Sequence, residues 1–251
     1  MENGIRGTRT VDKIGTIHKV TGLILESDGP EVTIGQVCTV SSDRHKTEVE
    51  AEVVGFSGNN VLLMALDSIH LIHPGCKVIS RKNSNVVPSG IPLLGRVIDG
   101  MGRPIDGKGP LHCGYRDGFH SAPPNPLKRN LISEAFSTGI KSIDSCIPLG
   151  LGQRIGVFVG SGVGKSILLG MISRGSSADV NVISLVGERG RELREFIEND
   201  LGPEGLSKSV IVVSTSDQPA PMRIRASILA TAIAEGFRDE GHKVLFMMDS
   251  L

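Results

Sequence analysis

The run VGSGVGKS at residues 159–166 has the composition of a phosphate-binding loop. Closely spaced glycines let the backbone curve tightly, so that successive N–H groups can surround phosphate oxygens. Lys165 would reach the β- and γ-phosphates, and the Ser166 hydroxyl would bind Mg²⁺. The usual pattern, G-x-x-x-x-G-K-[S/T], begins with glycine, whereas this chain has Val159 there. An apolar strand-like segment before the run and a helix-like segment after it favour the loop over an incidental glycine-rich turn.

Two acidic residues follow segments that we predict to be buried strands. Asp249 ends KVLFMMD, and Glu188 comes just after VNVISLV at residues 180–186. Ligands of a parallel sheet collect at the carboxyl ends of its strands, so both acids should face Lys165. Asp249 would then hold Mg²⁺, Glu188 would align the attacking water, and Arg189 would stabilise phosphate charge. The alternative is that Glu188, Arg189, Arg191 and Glu192 form surface ion pairs at a helix start.

The second half of the chain alternates predicted strands and helices. The predicted strands cover residues 154–159, 180–186, 209–213 and 243–248, and the predicted helices cover 166–174, 191–199 and 222–240. Apolar runs separated by helices are typical of a parallel sheet that is buried on both faces. We therefore predict an α/β domain over residues 127–251.

Two other segments precede this domain. Residues 1–85 contain short apolar runs separated by turn signals, and TEVEAEVVGF at 47–56 alternates charged and apolar residues, which is typical of a half-buried strand. Such a series predicts a small closed β-barrel, because closure removes exposed sheet edges. Residues 86–126 are rich in Pro and Gly and predict an irregular connector with one short strand at 95–98.

Composition excludes several classes of protein. The 251 residues carry 27 Lys+Arg against 27 Asp+Glu, and aromatic residues make up 3% with no Trp, which argues against a nucleic-acid binder. The four cysteines are widely separated and do not form the close pairs of a zinc site. The sequence lacks a secretory signal pattern and a long apolar run, so we expect a soluble cytoplasmic protein with reduced thiols.

Several longer strings are also informative: GTIHKVTGLILESDGPEVTIGQVC, GRVIDGMGRPIDG, PPNPLKR, GQRIGVFVGSGVGKSILLGMI, VGERGRE and STSDQPAPMRIRASILATAIAEGFRDEGHKVLFMMDS. These strings resemble the flagellar protein-export ATPases, a family that includes the type III secretion ATPases and, more distantly, the catalytic subunits of rotary ATP synthases. They occur in one order along the whole chain.

The resemblance implies a RecA-like P-loop domain after an N-terminal β-barrel. It implies a hexameric, Mg²⁺-dependent ATPase at the inner face of the cytoplasmic membrane. There it would use ATP to release or unfold export substrates and their chaperones, beside the export apparatus and a stator or regulator protein. By position, the nucleotide site would comprise Gly160, Ser161, Gly162, Val163, Gly164, Lys165, Ser166 and Ile167. The metal ligands would be Ser166 and Asp249, and the catalytic residues Lys165, Glu188 and Arg189.

Family members continue well past residue 251, with an arginine finger, adenine-contacting residues and a C-terminal helical domain. We therefore expect this chain alone to bind ATP poorly and to hydrolyse it negligibly, since loss of the arginine typically costs about 10³–10⁵ in rate. Three alternatives stay open: an injectisome ATPase, a non-catalytic fragment and an RNA-dependent RecA-like helicase. Neutral charge and few aromatic residues disfavour the last.

Overall fold

The computed structural model describes residues 14–81, 85–160 and 163–249. This described part of the chain divides into two compact units. One unit contains the described residues up to Asn85 together with Pro219–Met222, and the other contains the described residues from Val86 to Gln218 and from Arg223 onward. Among the described residues, no helix combines the length and the apolar character needed to cross a lipid bilayer.

The first unit is a closed antiparallel barrel. Its described strands are β1 (Ile14–Thr21), β2 (Ile24–Ser27), β3 (Val37–Ser42), β4 (Thr47–Ser57), β5 (Asn60–Ala65) and β6 (Lys77–Ser80). They close in the order β1-β2-β5-β4-β3-β6. In β4, Val49, Ala51 and Val53 are buried in the barrel, as the period of two in the sequence predicts. The predicted closed barrel is confirmed.

The second unit contains short and long elements. Its described strands are β7 (Val87–Ser89), β8 (Arg96–Asp99), β9 (Gly114–Arg116), β10 (Ala135–Phe136), β11 (Leu149–Gly150), β12 (Val180–Val186), β13 (Ser209–Ser214) and β14 (Val244–Asp249). Its described α-helices are α1 (Lys141–Cys146), α2 (Lys165–Gly175), α3 (Gly190–Glu195), α4 (Gly202–Ser207) and α5 (Ala220–Asp239), with π-helical geometry at Phe196–Leu201. Two single turns of 3₁₀-helix lie at Ile91–Leu93 and Pro126–Lys128.

A parallel sheet forms the centre of this unit. In the described chain its strand order is β14-β12-β13-β8. Alternate residues of the strands face opposite sides, so Val182 and Val212 pack in one apolar cluster with Phe237 of α5, whereas Ile183 and Ile211 belong to a second cluster on the other face. Burial on both faces explains why these strands read as continuous apolar runs. The predicted parallel α/β sheet is confirmed.

The Pro- and Gly-rich segment contributes directly to this sheet. Its strand β8 pairs in parallel with β13, with Val97 opposite Ile211. The Arg96 guanidinium forms an ion pair with Asp106 at 2.7 Å, which fixes the turn that follows β8. The predicted strand at residues 95–98 is therefore present, displaced by one residue, and lies at the edge of the sheet.

The predicted strand at residues 154–159 is wrong. Residues 153–160 have no regular secondary structure, and Phe158 is 95% exposed. An extended apolar segment becomes a strand only when a neighbouring strand exchanges backbone hydrogen bonds with it. None of the described strands pairs with residues 154–159, and β14 is an edge strand of the described sheet. The segment has a strand-like apolar composition, but the described elements do not provide the hydrogen-bonding neighbour that a strand requires.

The carboxyl-terminal end of α2 rests on a loop organised by Asp144. The carboxylate of Asp144 accepts hydrogen bonds from Ser137 Oγ at 2.8 Å, from Thr138 N at 2.8 Å and from Gly139 N at 3.2 Å. Gly139 has φ +76°, and a Cβ at this position would lie 2.4 Å from the carbonyl oxygen of Gly175. The loop therefore fits against the last residue of α2 only because residue 139 has no side chain.

Acid should loosen this loop. Side-chain and backbone hydrogen bonds from Thr138, with one from Ser137, lower the pKa of Asp144 to about 2. Since the folded-state pKa lies below the unfolded value of about 4, the stabilisation is complete above that value and is lost as the pH falls toward 2. Asp144→Asn should therefore flatten the dependence of unfolding free energy on pH in this window, measured by urea unfolding followed by circular dichroism. Asp117→Asn removes one exposed carboxylate and is the control; an unchanged slope for Asp144→Asn would contradict the prediction.

Candidate functional site

The candidate site lies at the carboxyl ends of the parallel strands. Leu185 of β12 is in register with Asp249 of β14, so Glu188, three residues further on, follows the same end of the sheet. Helix α2 begins at Lys165, and the Lys165 side chain reaches Asp249. The structure thus brings Lys165, Asp249 and the turn that carries Glu188 to one edge, as expected for a parallel sheet.

Lys165 and Asp249 form a direct ion pair. The Nζ of Lys165 donates to Oδ1 of Asp249 at 2.5 Å, and the two side chains are 34% and 10% exposed. The hydrogen bond to Asp249 raises the pKa of Lys165, burial opposes this effect, and the charges of Asp249, Glu188 and Glu192 raise it further. Lys165 is therefore an ammonium group surrounded mainly by negative charge.

Glu188 lies in a turn that is tied to the next strand. Gly187 N donates to the carbonyl oxygen of Ser214 at 2.8 Å, and Ser216 N donates to the carbonyl oxygen of Glu188 at 3.0 Å. Gly187 has φ +81°, a conformation that side chains disfavour, so the chain can turn sharply as it leaves β12. These contacts hold the half-buried Glu188 close enough for its charge to act on Lys165.

The side chain of Arg189 faces solvent. Its side chain is 82% exposed, and its guanidinium lies 3.7 Å from a carboxylate oxygen of Glu192. This contact matches the surface ion pair that the sequence left open as an alternative. Glu192, which sequence reasoning assigned only to that pair, also contributes to the electrostatics of Lys165. Its position in the first turn of α3, four residues after Glu188, is the signal that could have indicated it.

The described part of the glycine-rich loop is open to solvent. Gly164 has φ +97° and precedes α2, and no side chain caps the first turn of that helix. Val163 is 70% exposed, and Ser166 and Ile167 are exposed too. The predicted phosphate-binding residues Ser161 and Gly162 lie outside the described residues, and Gly160 is exposed beside them. Uncapped N–H groups at a helix start carry partial positive charge and suit an anion.

The opposite end of α2 is fixed by residues that sequence reasoning missed. Asn181, fully buried at the start of β12, donates through Nδ2 to the carbonyl oxygen of Ser173 at 2.9 Å. The Nζ of Lys208 donates to the carbonyl oxygen of Arg174 at 3.0 Å. The single amide side chain inside the apolar run VNVISLV is the signal that could have identified Asn181, because a buried amide needs hydrogen-bond partners.

Two family models match the chain. Residues 139–251 match the nucleotide-binding domain of the ATP synthase alpha/beta family, and residues 17–82 match the beta-barrel domain of the same family. The first matched region contains strands β12, β13 and β14 of the parallel sheet with the candidate site. The second contains the closed barrel except for the first three residues of β1. Both structural units therefore have counterparts within one family.

Curated relatives extend the similarity over nearly the whole chain. The flagellum-specific ATP synthase of Bacillus subtilis is 51% identical over 249 residues, which are 98% of this chain and 57% of that protein. The one from Treponema pallidum is 45% identical over 250 residues, and the type 3 secretion system ATPase of Xanthomonas euvesicatoria is 44% identical over 239 residues. The chain spans slightly more than half the length of these relatives.

A solved structure shows the same fold. The assembled ATPase EscN of the enteropathogenic E. coli type III secretion system matches with a TM-score of 0.82 and 41% identity, over 94% of this chain and 56% of that one. EscN in complex with its central stalk EscO matches with a TM-score of 0.84. With barrel, sheet, family models and relatives all in agreement, the chain belongs to the ATP synthase alpha/beta family, among the relatives of the flagellar and type III secretion ATPases.

Proposed function

We propose that this protein is the ATPase of a flagellar type III protein-export apparatus, which hydrolyses ATP with Mg²⁺ to energise the release, unfolding and export of substrates. The observation that carries the proposal is the ion pair of Lys165 with Asp249 at the same sheet edge as Glu188. An ammonium group, two acids and an uncapped helix start are the groups that phosphoryl transfer to water needs. The flagellar assignment over the injectisome rests on the Bacillus subtilis relative, which is 51% identical, against 44% for the Xanthomonas protein.

The phosphates of ATP would bind at the start of α2. The N–H groups of the loop from Gly160 to Ser166 and of the first turn of α2 would donate to the β- and γ-phosphate oxygens, with Ser161, Gly162 and Val163 in the turn and Ile167 just after it. Lys165 would add a charge-assisted hydrogen bond to the same oxygens. Gly164 supports this arrangement, because its positive φ turns the chain directly into the helix.

The donor set at this edge fits Mg²⁺. The ion prefers hard oxygen ligands and is usually held by one or two protein groups together with substrate phosphates and water. Asp249 offers a carboxylate, and Ser166, next to the residue that contacts Asp249, offers a hydroxyl group. When bound, Mg²⁺ would neutralise part of the charge on the phosphates. Asp249 and Ser166 would keep their oxygens directed at this position through the ends of β14 and α2.

Glu188 would act on the attacking water. A carboxylate at the end of β12 can accept a hydrogen bond from water and so orient the lone pair of the water oxygen toward the γ-phosphate. It can then accept the proton that the water releases. The hydrogen bond from Ser216 N to the carbonyl oxygen of Glu188 holds the backbone of Glu188 beside the segment that follows β13. The sequence pattern assigns Arg189 to the phosphate charge, whereas its contact with Glu192 supports a surface role.

The proposed assembly is supported by the solved relatives, and the proposed location by the family resemblance. EscN has been solved as an assembled ATPase and together with a central stalk, and we propose that this protein likewise forms a ring, a hexamer as its family resemblance implies. It would act in the cytoplasm at the inner face of the membrane. Its partners would be the export apparatus, a stator or regulator protein and chaperone–substrate complexes, with no nucleic acid involved.

Replacing Lys165 tests the proposal. Loss of one charge-assisted hydrogen bond typically costs about 1.5–3 kcal/mol, so Lys165→Ala should weaken Mg²⁺–ATP binding by about 10- to 100-fold. Binding is measured by titration of a fluorescent ATP analogue. Lys141→Ala is the matched control, because Lys141 is likewise the first residue of a helix but lies in α1. Equal affinities for unaltered protein and Lys165→Ala would overturn the proposal.

A further inference from the structure

The ion pair joins two side chains that the proposed function assigns to different ligands. Lys165 is assigned to the phosphates and Asp249 to the metal ion, yet the two contact each other at 2.5 Å. A nucleotide that draws Lys165 away therefore leaves the carboxylate of Asp249 without that ammonium group. Asp249 is only 10% exposed, so water solvates it poorly and an uncompensated charge there is costly.

The charges at the sheet edge also disfavour a metal-free nucleotide relative to its magnesium complex. The carboxylates of Asp249, Glu188 and Glu192 all act on the single ammonium of Lys165. The nearby Arg189 is 82% exposed and pairs with Glu192. A metal-free triphosphate, which carries several negative charges, approaches an edge where acids outnumber the ammonium group. A divalent cation that arrives with the triphosphate supplies the positive charge that is needed.

We propose that Asp249 is a specificity-determining residue, which restricts the site to the magnesium complex of a nucleoside triphosphate by holding Lys165 until Mg²⁺ engages its carboxylate. Metal-free nucleotides and inorganic polyphosphates are then poor ligands, because they must break the ion pair without replacing it. This inference rests on the proposed function and extends it from the identity of the ligands to the order in which the site accepts them.

The test compares the affinity for metal-free ATP in EDTA with the affinity for Mg²⁺–ATP. Asp249→Asn keeps the shape of the side chain and removes its charge, so metal-free ATP should bind about tenfold more tightly than to the unaltered protein. The preference for the magnesium complex should largely disappear. Inorganic tripolyphosphate in EDTA should show the same gain, since the effect concerns the phosphates and not the base.

Glu192→Gln is the matched control. It removes one negative charge that acts on Lys165, and the direct hydrogen bond from Lys165 to Asp249 stays in place. If the ion pair is what matters, Glu192→Gln should gain less than about threefold. Equal gains in both variants would overturn the inference, because general repulsion would then explain them.

A second measurement uses only the unaltered protein, so it does not require any variant to fold. In the unaltered protein, Mg²⁺ without nucleotide should release Lys165 and raise its rate of acetylation severalfold, while exposed Lys141 serves as the internal standard in mass spectrometry. The inference is overturned if Lys165 labelling does not change, or if Asp249→Asn does not gain affinity for metal-free ATP. The proposed function is unaffected by either result as long as Mg²⁺–ATP still binds through Lys165. Failure of the unaltered protein, folded and assembled, to bind Mg²⁺–ATP contradicts the proposed function itself.

Discussion

Replacing Glu188 with glutamine should lower the rate of ATP hydrolysis by about 10²–10⁴-fold. Glutamine has nearly the same shape as glutamate, but it cannot accept the proton of the attacking water and attracts that water less strongly. ATP binding should change by less than about threefold, because the phosphate contacts come from α2 and its preceding loop. Phosphate release by the assembled protein measures the rate, and a fluorescent ATP analogue measures the affinity.

Glu192→Gln is the natural control for Glu188→Gln. Both acids act on Lys165, but Glu192 lies on α3, is about half exposed and contacts Arg189. Its replacement should leave hydrolysis within about threefold of the unaltered rate. Comparable losses in the two variants would show that total negative charge at this edge, and not a single positioned base, governs the rate. Glu188→Gln with full activity would remove Glu188 from the reaction.

Local patterns account for the parts of the fold that could be predicted. The alternation in residues 47–56 specifies which side chains enter the barrel, and the structure buries Val49, Ala51 and Val53 as that alternation requires. The apolar run at Val180–Val186 indicated a strand buried on both faces, and it has the same bounds in the structure. Such features depend on the periodicity of one segment, which the sequence displays directly.

Features that depend on a second segment could not be predicted. Residues 154–159 have a strand-like composition, but pairing requires a neighbour, and none of the described strands pairs with them. The sequence placed Lys165 and Asp249 at one edge, since a parallel sheet dictates this; it did not indicate that they contact each other. The two residues are 84 positions apart in the sequence, so the distance between their side chains is known only from the assembled sheet.

Asn181→Asp should destabilise the protein by about 3–5 kcal/mol at neutral pH. The side chain of Asn181 is fully buried and donates to the carbonyl oxygen of Ser173 and to the hydroxyl of Ser209, at 2.9 and 3.2 Å. Aspartate places a charge in this site and turns the donor into an acceptor that faces a carbonyl oxygen. Urea unfolding followed by circular dichroism measures the loss, and Asn130→Asp, at an exposed position, is the control.

The pH dependence separates charge burial from simple loss of a hydrogen bond. Burial raises the pKa of a carboxyl group introduced at residue 181, so the folded state binds a proton more tightly than the unfolded state does. The loss in free energy of unfolding, the deficit, should therefore shrink as the pH falls toward 5. A deficit that stays constant with pH would mean that the lost donor alone matters. Asn181 holds the carbonyl group of Ser173 near the end of α2, and the same helix begins at Lys165. Loosening its far end should therefore also weaken Mg²⁺–ATP binding at pH 7. Unchanged nucleotide affinity in the folded variant would show that the first turn of α2 is positioned by the sheet edge alone.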